Sequence, residues 1–191
     1  MWGGTWSLRY QKGTAMALVC FDLDGTLISG YMDTPDKDYH TWQPLPGRIA
    51  QVERIKRVHE IALVTNQAGV AFGHITEQDT VTKLGRVAML LGYAAVAIHD
   101  GRADGPLVTG WGEALHVFVC YSDARSRDAR YATPADVARR KPSGQMIREA
   151  AAEFPDHARD GVLMVGDRPE DEQAAHDAGA AFRWADAFFG R

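Results

Sequence analysis

Short apolar runs alternate with helical patterns along the chain from residue 17 onward. Most of these runs are apolar on both alternating faces, which is typical of strands in a sheet covered on both sides. The predicted strands span residues 17–22, 61–65, 116–121, 162–166 and 180–184.

Apolar residues at helical spacing, together with signals for helix starts and ends, predict four helices between these strands. The predicted helices span residues 47–59, 76–91, 143–154 and 170–178. Because strands and helices alternate, the chain is predicted to have an α/β fold, a doubly wound parallel sheet with right-handed crossovers.

Two segments depart from this alternation, and each is a candidate for a short flap or small cap over a binding site. Residues 28–46 are rich in Asp, Tyr, Pro and Gly, and residues 94–115 contain a possible extra strand at 94–98. Long loops in compact domains are often functional. The length of 191 residues suits a single domain, which we place at residues 16–191 after an N-terminal extension over residues 1–15.

Composition and charge limit the classes of function. The net charge of −4 argues against a protein that binds nucleic acid mainly by electrostatics, although it leaves room for a local basic patch. No apolar run reaches the roughly 18–20 residues that a membrane helix needs, and we expect no membrane partner. Cys20 and Cys120 lie inside apolar runs, so we interpret them as buried free thiols of a cytoplasmic protein.

Polar side chains follow the predicted strands at the points where the strands end. Ligands of an open α/β sheet bind outside the carboxyl ends of its strands, so these side chains are the candidates for a site. Asp22 and Asp24 end the first strand and would repel each other if nothing compensated their charges. The other candidates are Thr65 and Asn66 after the second strand, Lys141 before a helix, and Asp167 and Asp171 after the fourth strand.

A divalent cation and a phosphate group would satisfy this set of residues. Asp22, Asp24 and Asp167 can converge on one Mg²⁺, with Asp171 close by, because Mg²⁺ takes oxygen ligands and keeps substrate phosphate in its shell. Thr65 and Lys141 can hold the remaining phosphate oxygens, since Lys141 directly precedes a helix N-terminus that already favours an anion. The sequence therefore predicts a Mg²⁺-dependent phosphoryl-transfer site.

The motifs "FDLDGTL", "VTNQAG", "RKPSG" and "VGDRPED" resemble those of the haloacid dehalogenase (HAD) superfamily of phosphohydrolases. The resemblance covers roughly residues 17 to 190. It implies a Rossmann-like sheet with strand order 5-4-1-2-3, a short flap and little or no cap. It also implies a phosphatase with Mg²⁺ as its cofactor and a phosphorylated substrate as its partner.

The resemblance implies a role for each candidate residue. Asp22 is the expected nucleophile and a metal ligand, and Asp24 is the expected general acid and base, with its backbone carbonyl on the metal. Thr65 and the neighbouring Asn66 are expected to bind substrate, and Lys141 to steady the nucleophile and the phosphate. Asp167 is expected to hold the metal, supported by Asp171. An aspartate at position 24 indicates hydrolysis through an aspartyl-phosphate, because ion pumps of the superfamily typically have threonine there.

Within the superfamily, "TNQAGVAFG" and the short segment before it resemble the branch with little or no cap. That branch includes histidinol-phosphate phosphatase, heptose-bisphosphate phosphatase and polynucleotide 3′-phosphatase. The first two commonly carry a cysteine-rich zinc loop before the lysine motif, where this chain has only Cys120, so we expect no structural zinc. The start, the lysine motif and the tail are more similar to the polynucleotide 3′-phosphatase.

Alternatives to a polynucleotide 3′-phosphatase remain open at the level of sequence. The enzyme could act on a small phosphorylated metabolite, such as histidinol phosphate, a sugar phosphate or a nucleotide. A phospho-accepting signalling protein or a non-catalytic binding protein are alternatives from other classes. Several arginines near the lysine motif could form either a solvated charged surface or contacts to a nucleic-acid backbone: Arg125, Arg127, Arg130, Arg139 and Arg140.

Overall fold

Seven strands form one sheet in the computed structural model, which describes residues 17–34 and 37–190. The strands are β1 Leu18–Phe21, β2 Glu60–Asn66, β3 Ala95–His99, β4 Leu107–Gly110, β5 Ala114–Cys120, β6 Val162–Gly166 and β7 Ala181–Trp184. The helices are α1 Arg48–Ile55, α2 Glu77–Leu90, α3 Pro134–Arg139, α4 Gln145–Glu153, α5 Pro155–Ala158, α6 Pro169–Ala178 and α7 Ala185–Phe189. The predicted extension over residues 1–15 lies outside the described residues.

The strand order is β4-β3-β5-β2-β1-β6-β7, and every neighbouring pair is parallel except β3 and β4. The five strands predicted from the sequence are β1, β2, β5, β6 and β7. In this numbering their order is 5-4-1-2-3, so the predicted α/β, Rossmann-like sheet is confirmed.

Residues 94–115 extend the sheet instead of forming a flap or cap. The strand β3 lies parallel to β5, and β4 returns antiparallel along the outer edge of β3. The first four residues of β3 are buried, so this apolar segment belongs inside the sheet and not above it. The strand predicted at 94–98 is therefore present, with bounds shifted by one residue, and it carries a further edge strand that the sequence did not predict.

The helix predicted at residues 47–59 ends earlier, since α1 stops at Ile55. Beyond it the chain turns, and the Nδ1 atom of His59 accepts a hydrogen bond from the Ala17 N–H at 3.2 Å as β2 begins. The other three predicted helices correspond to α2, α4 and α6, whereas the short helices α3, α5 and α7 were not predicted.

The central strand β1 lies between β2 and β6 and is buried along its whole length. Val19 and Phe21 belong to the core cluster on one face of the sheet, and Leu18 and Cys20 belong to the cluster on the other face. Successive side chains of a strand point to opposite faces, so two covered faces require an uninterrupted apolar strand. This is why β1 carries no polar residue until Asp22.

Residues 28–34 and 37–46 form the flap beside the carboxyl end of β1. Ile28 forms an antiparallel bridge with Pro44, and the Ser29 N–H donates to the Gln43 carbonyl at 2.9 Å. The rings of Tyr31 and Tyr39 stack with centroids 4.2 Å apart. Among residues 17–34 and 37–190, no helix is both long and apolar enough to cross a bilayer.

A buried arginine at the start of α1 holds the turn that follows β1. The Arg48 Nη1 donates to the carbonyls of Gly25 at 3.1 Å and Thr26 at 2.8 Å, while its Nη2 lies 2.5 Å from the exposed Asp186 Oδ1. Arg48 therefore fixes the turn in place mainly through backbone carbonyls, since an ion pair to an exposed carboxylate contributes little.

Replacing Arg48 should destabilise the fold far more than replacing its carboxylate partner. Arg48→Met leaves two backbone carbonyls without their donor, and we expect a loss of about 2–4 kcal/mol in the free energy of unfolding. Asp186→Asn should change it by less than about 1 kcal/mol. Urea unfolding of both variants measures the difference, and equal effects would show that the ion pair is the dominant contact.

Candidate active site

The side chains at the carboxyl ends of β1 and β2 and those after β6 surround a cavity of about 500 Å³. Six of the seven predicted site residues line it: Asp22, Asp24, Thr65, Asn66, Lys141 and Asp171. The seventh, Asp167, follows β6 and has a carboxylate oxygen within 4.8 Å of those of Asp22 and Asp171. The flap forms one wall of the cavity with Tyr31, Tyr39 and Trp42.

A buried ion cluster lies at the base of this cavity. The Lys141 Nζ is 2.5 Å from the Asp22 Oδ1 and 2.6 Å from the Asp171 Oδ1, and it donates to the Val64 carbonyl at 2.9 Å. All three ionisable residues are buried. One ammonium group thus holds two carboxylates that would otherwise repel each other, and its position fixes the orientation of Asp22.

The electrostatics of the cluster follow from its burial. Burial raises the pKa of the Asp22 carboxyl to about 7; Lys141 opposes this rise, and the charges of Asp171 and Asp167 add to it. Burial lowers the pKa of Lys141, but the charges of Asp22 and Asp171 outweigh this effect, so the pKa is raised overall and Lys141 stays protonated. Three carboxylates around one lysine leave uncompensated negative charge, which is an environment that attracts a cation.

The carboxylate oxygens of Asp22, Asp167 and Asp171 all lie within 4.8 Å of one another, and this set suits Mg²⁺, which prefers oxygen ligands. Asp167 accepts a hydrogen bond from the Thr26 hydroxyl at 3.2 Å, and burial, followed by the charge of Asp171, raises its pKa. A Cβ atom on Gly25, where φ is +90°, would lie 2.3 Å from the Asp167 Oδ2, so only glycine lets this carboxylate approach the turn.

Asp171 has both carboxylate oxygens engaged by its own neighbours. One oxygen contacts Lys141, and the other accepts a hydrogen bond from the Arg168 N–H at 3.1 Å. A Cβ atom on Gly166 would lie 2.3 Å from the Asp171 Oδ2, so the glycine before Asp167 makes room for this buried carboxylate. Asp171 is therefore joined both to Lys141 and to the backbone at the start of α6.

The second aspartate of the motif points to a separate set of partners. The Asp24 Oδ2 accepts a hydrogen bond from the Gln67 Nε2 at 2.6 Å, and the Lys83 Nζ lies 3.2 Å from both Asp24 carboxylate oxygens. Neither partner was predicted as a site residue from the sequence. Gln67 directly follows the motif residues Thr65 and Asn66. Lys83 is a charged residue on the apolar face of α2, and this break in the hydrophobic pattern could have identified it as a candidate.

The two residues at the end of β2 have different environments. The buried Thr65 hydroxyl oxygen accepts a hydrogen bond from the Gln67 Nε2 at 2.9 Å and lines the cavity. The Asn66 side chain forms two hydrogen bonds of 3.1 Å with the backbone of Lys141, one to its carbonyl and one from its N–H. Asn66 therefore fixes the loop that carries Lys141 as well as lining the cavity.

The arginines near the lysine motif differ in what they contact. Arg139 is buried and pairs with Glu149 at 2.6 Å. It also donates to backbone carbonyls at the ends of β3 and β5, so its role is to stabilise the fold. Arg125 and Arg130 are exposed and pair with Asp123 and Asp128, respectively. These pairs match the interpretation of the arginines as a solvated charged surface. Among the five arginines, only Arg125 and Arg140 line the cavity.

Comparisons with known proteins find similarity in part of the sequence and in the fold. Residues 138–184 match the family described as HAD-hydrolase-like. A HAD-like phosphatase from Mesorhizobium loti is 24% identical, with 87% of this chain and 70% of that chain covered and a TM-score of 0.61. D,D-heptose 1.7-bisphosphate phosphatase from B. bronchiseptica, solved with magnesium and phosphate, is 25% identical, with 87% and 79% covered and a TM-score of 0.57.

A HAD-superfamily hydrolase of subfamily IA from Geobacter sulfurreducens has the same fold at 14% identity, with 89% of this chain and 87% of that chain covered and a TM-score of 0.53. No curated protein sequence matches the chain. The match over residues 138–184 and the fold shared with these structures support the prediction of a phosphatase of the HAD type.

The stability of the metal-free protein should depend on pH through Asp22. Because the folded-state pKa of about 7 lies above the usual value of 3.8, the folded protein holds this proton more tightly than the unfolded chain does. The corresponding stability is present below about pH 4 and is lost as the pH rises towards 7.

We therefore expect the free energy of unfolding in EDTA to fall from pH 4 to pH 7 more steeply for the unmodified protein than for Asp22→Asn. Urea unfolding at pH 4, 5.5 and 7 measures the two slopes. Parallel pH profiles would contradict a raised pKa at Asp22.

Proposed function

We propose that the protein is a Mg²⁺-dependent phosphomonoester hydrolase that works through an aspartyl-phosphate on Asp22. The observation that carries the proposal is the buried Asp22 carboxylate, held by the Lys141 ammonium at 2.5 Å beside Asp167 and at the base of an accessible cavity. A carboxylate fixed in this way is a suitable nucleophile for phosphorus. The magnesium and phosphate in the heptose-bisphosphate phosphatase structure support the same chemistry.

Asp22 and Asp167 would hold Mg²⁺ through carboxylate oxygens, together with the backbone carbonyl of Asp24. Asp171 would support them through Lys141. When bound, Mg²⁺ neutralises charge on the phosphoryl oxygens and on Asp22. The Lys141 ammonium and the Thr65 hydroxyl would bind the phosphoryl oxygens that remain.

The reaction would proceed in two steps. A carboxylate oxygen of Asp22 forms a bond to phosphorus while the bond to the leaving oxygen breaks and Asp24 gives its proton to that oxygen. A water molecule then attacks phosphorus, its proton passes to Asp24, and the bond between Asp22 and phosphorus breaks to release phosphate. Burial excludes bulk water from Asp22 and keeps its interactions strong.

The substrate candidate that follows from the motifs is a nucleic acid with a terminal 3′-phosphate. A groove of about 1270 Å³ adjoins the cavity, and Phe72 and Arg125 line both, so a chain beyond the phosphate has a path along the surface. The guanidinium group of Arg125 lies 5.5 Å from the centre of the Phe72 ring. Exposed Arg127 also lines the groove and forms no ion pair within residues 17–34 and 37–190.

A small phosphorylated metabolite is the second candidate, and two observations favour it. The similar phosphatase from B. bronchiseptica is described as acting on a heptose bisphosphate. Most arginines of the groove are also already paired with carboxylates: Arg102 with Glu77, Arg125 with Asp123, and Arg130 with Asp128. Little positive charge is left for a polymer of phosphates.

Both cysteines are buried free thiols, which supports the proposed cytoplasmic location.

Hydrolysis of p-nitrophenyl phosphate should require Mg²⁺ and Asp22. We expect EDTA to abolish turnover and added Mg²⁺ to restore it, and we expect Asp22→Asn to lower kcat by more than about 10⁴-fold because the nucleophile is lost. The control Asp160→Asn changes an exposed aspartate outside the cavity and should leave kcat unchanged. Full activity in EDTA would contradict the dependence on Mg²⁺. No turnover by the unmodified protein would favour a signalling or non-catalytic binding protein instead.

The two substrate candidates differ in their response to salt. A nucleic-acid phosphatase should have a higher kcat/KM for a 3′-phosphorylated oligonucleotide than for a mononucleotide 3′-phosphate or histidinol phosphate, and should lose this preference as salt rises. Arg127→Ala should then lower kcat/KM for the oligonucleotide about twofold to fivefold and spare the small esters. The control is Arg159→Ala, which changes an exposed arginine outside the groove. Equal, salt-independent rates on polymer and monomer would leave the metabolite as the substrate class.

A further inference from the structure

A lysine is buried on the face of α2 that packs against the core. Thr80, Leu84 and Val87 belong to the same buried face, and Lys83 interrupts it although its neighbours are apolar or uncharged. The side chain of Lys83 is only 10% exposed. A buried ammonium group costs free energy unless charged or polar groups surround it, so its partners explain why it is there.

The partners of Lys83 form a closed network with the second aspartate of the motif. The Lys83 Nζ lies 3.2 Å from both carboxylate oxygens of Asp24 and donates to the Gln67 Oε1 at 2.9 Å. The Gln67 Nε2 in turn donates to the Asp24 Oδ2 at 2.6 Å and to the Thr65 Oγ1 at 2.9 Å. The network thus connects α2 to the residue that we propose as general acid and base, and to the end of β2.

Stability alone does not account for this arrangement. A buried ion pair is often no better for stability than well-packed apolar residues of similar volume. An apolar residue at position 83 would continue the buried face of α2. The network instead restricts Asp24, because the terminal torsion of an aspartate is broad and a carboxylate without fixed partners samples many orientations.

We propose that Lys83 is a positioning residue for Asp24, an inference that rests on the proposed phosphatase function. With Gln67, it holds the Asp24 carboxylate where its proton can pass to the leaving oxygen as the bond between that oxygen and phosphorus breaks. The same placement lets Asp24 take a proton from the attacking water in the second step. Lys83 also lines the cavity, but its ammonium group is engaged by Asp24 and Gln67, so we assign its effect on the reaction to its contact with Asp24.

The role of Lys83 should therefore depend on the leaving group. An alkyl alkoxide is a poor leaving group and needs the proton of Asp24, whereas p-nitrophenolate leaves without assistance. Loss of the positioning contact should slow alkyl phosphates strongly and aryl phosphates weakly. A residue that only stabilised the fold would change the two substrates by the same factor.

The test compares Lys83→Met and Lys83→Gln with the unmodified protein on 2-phosphoglycerol and p-nitrophenyl phosphate under single-turnover conditions. We expect the rate of phosphoryl transfer to fall by about tenfold or more for the alkyl ester and by less than about threefold for the aryl ester. The matched control is Arg86→Met, which removes an exposed cation one turn further along α2 and should change neither rate.

Chemical rescue separates the charge from the packing of the side chain. Lys83→Cys treated with 2-bromoethylamine regains an ammonium group of nearly the same length as lysine. The reagent can reach position 83 from the cavity, which Lys83 lines and the two native cysteines do not. The native thiols should react more slowly, because burial raises the pKa of Cys20 to about 12 and also raises that of Cys120. We expect the aminoethylated protein to recover the alkyl rate, and the untreated cysteine variant to remain slow.

Each outcome decides one of the two claims. If the unmodified protein hydrolyses both esters but the Lys83 variants slow both by the same factor, or if aminoethylation restores nothing, the positioning role is wrong and the phosphatase remains. If the unmodified protein hydrolyses neither ester, the proposed function itself fails. Should Lys83→Met unfold, Lys83→Gln and the aminoethylated variant still give the ratio of the two rates.

Discussion

The site depends on one buried ammonium group between two buried carboxylates. Lys141 lies 2.5 Å from Asp22 and 2.6 Å from Asp171, and the three come from the end of β1, the loop before α4 and the start of α6. Removing Lys141 would leave two buried carboxylates without a cation, so the three segments are bound to one arrangement. The glycines at positions 25 and 166 follow from the same constraint, because each leaves space for an aspartate carboxylate.

Two separate networks of ion pairs and hydrogen bonds hold the two aspartates that the proposed reaction requires. Lys141 holds Asp22, while Lys83 and Gln67 hold Asp24, so the carboxylates of the two aspartates pair with different lysines. This separation lets the proposed nucleophile stay fixed while its neighbour exchanges protons. The flap and the groove lie outside both networks, and we infer that they determine which substrate reaches the cavity rather than which reaction takes place.

The pattern of apolar and polar residues predicted the strands and helices that are distinct in the local sequence. The five parallel strands were predictable because β1, β2, β5 and β6 are short apolar runs, whereas their order was implied by the resemblance to the HAD superfamily. Of the antiparallel hairpin, β3 was predicted and β4 was not, because β4 has only four residues, is mostly exposed and follows a Gly-rich, charged segment. Motif spacing likewise indicated the residues that meet at the cavity. It could not indicate Lys83, 59 residues from Asp24, since only the packing of α2 brings them together.

The central claim is that the cluster presents Asp22, and no other aspartate, to phosphorus. The most direct measurement traps the protein during turnover of a phosphate ester, reduces the acyl phosphate with borohydride and locates the modified residue by peptide mass spectrometry. Our account predicts homoserine at position 22, and its loss in Lys141→Met. Modification at position 24, 167 or 171, or a full yield at position 22 without Lys141, would contradict it.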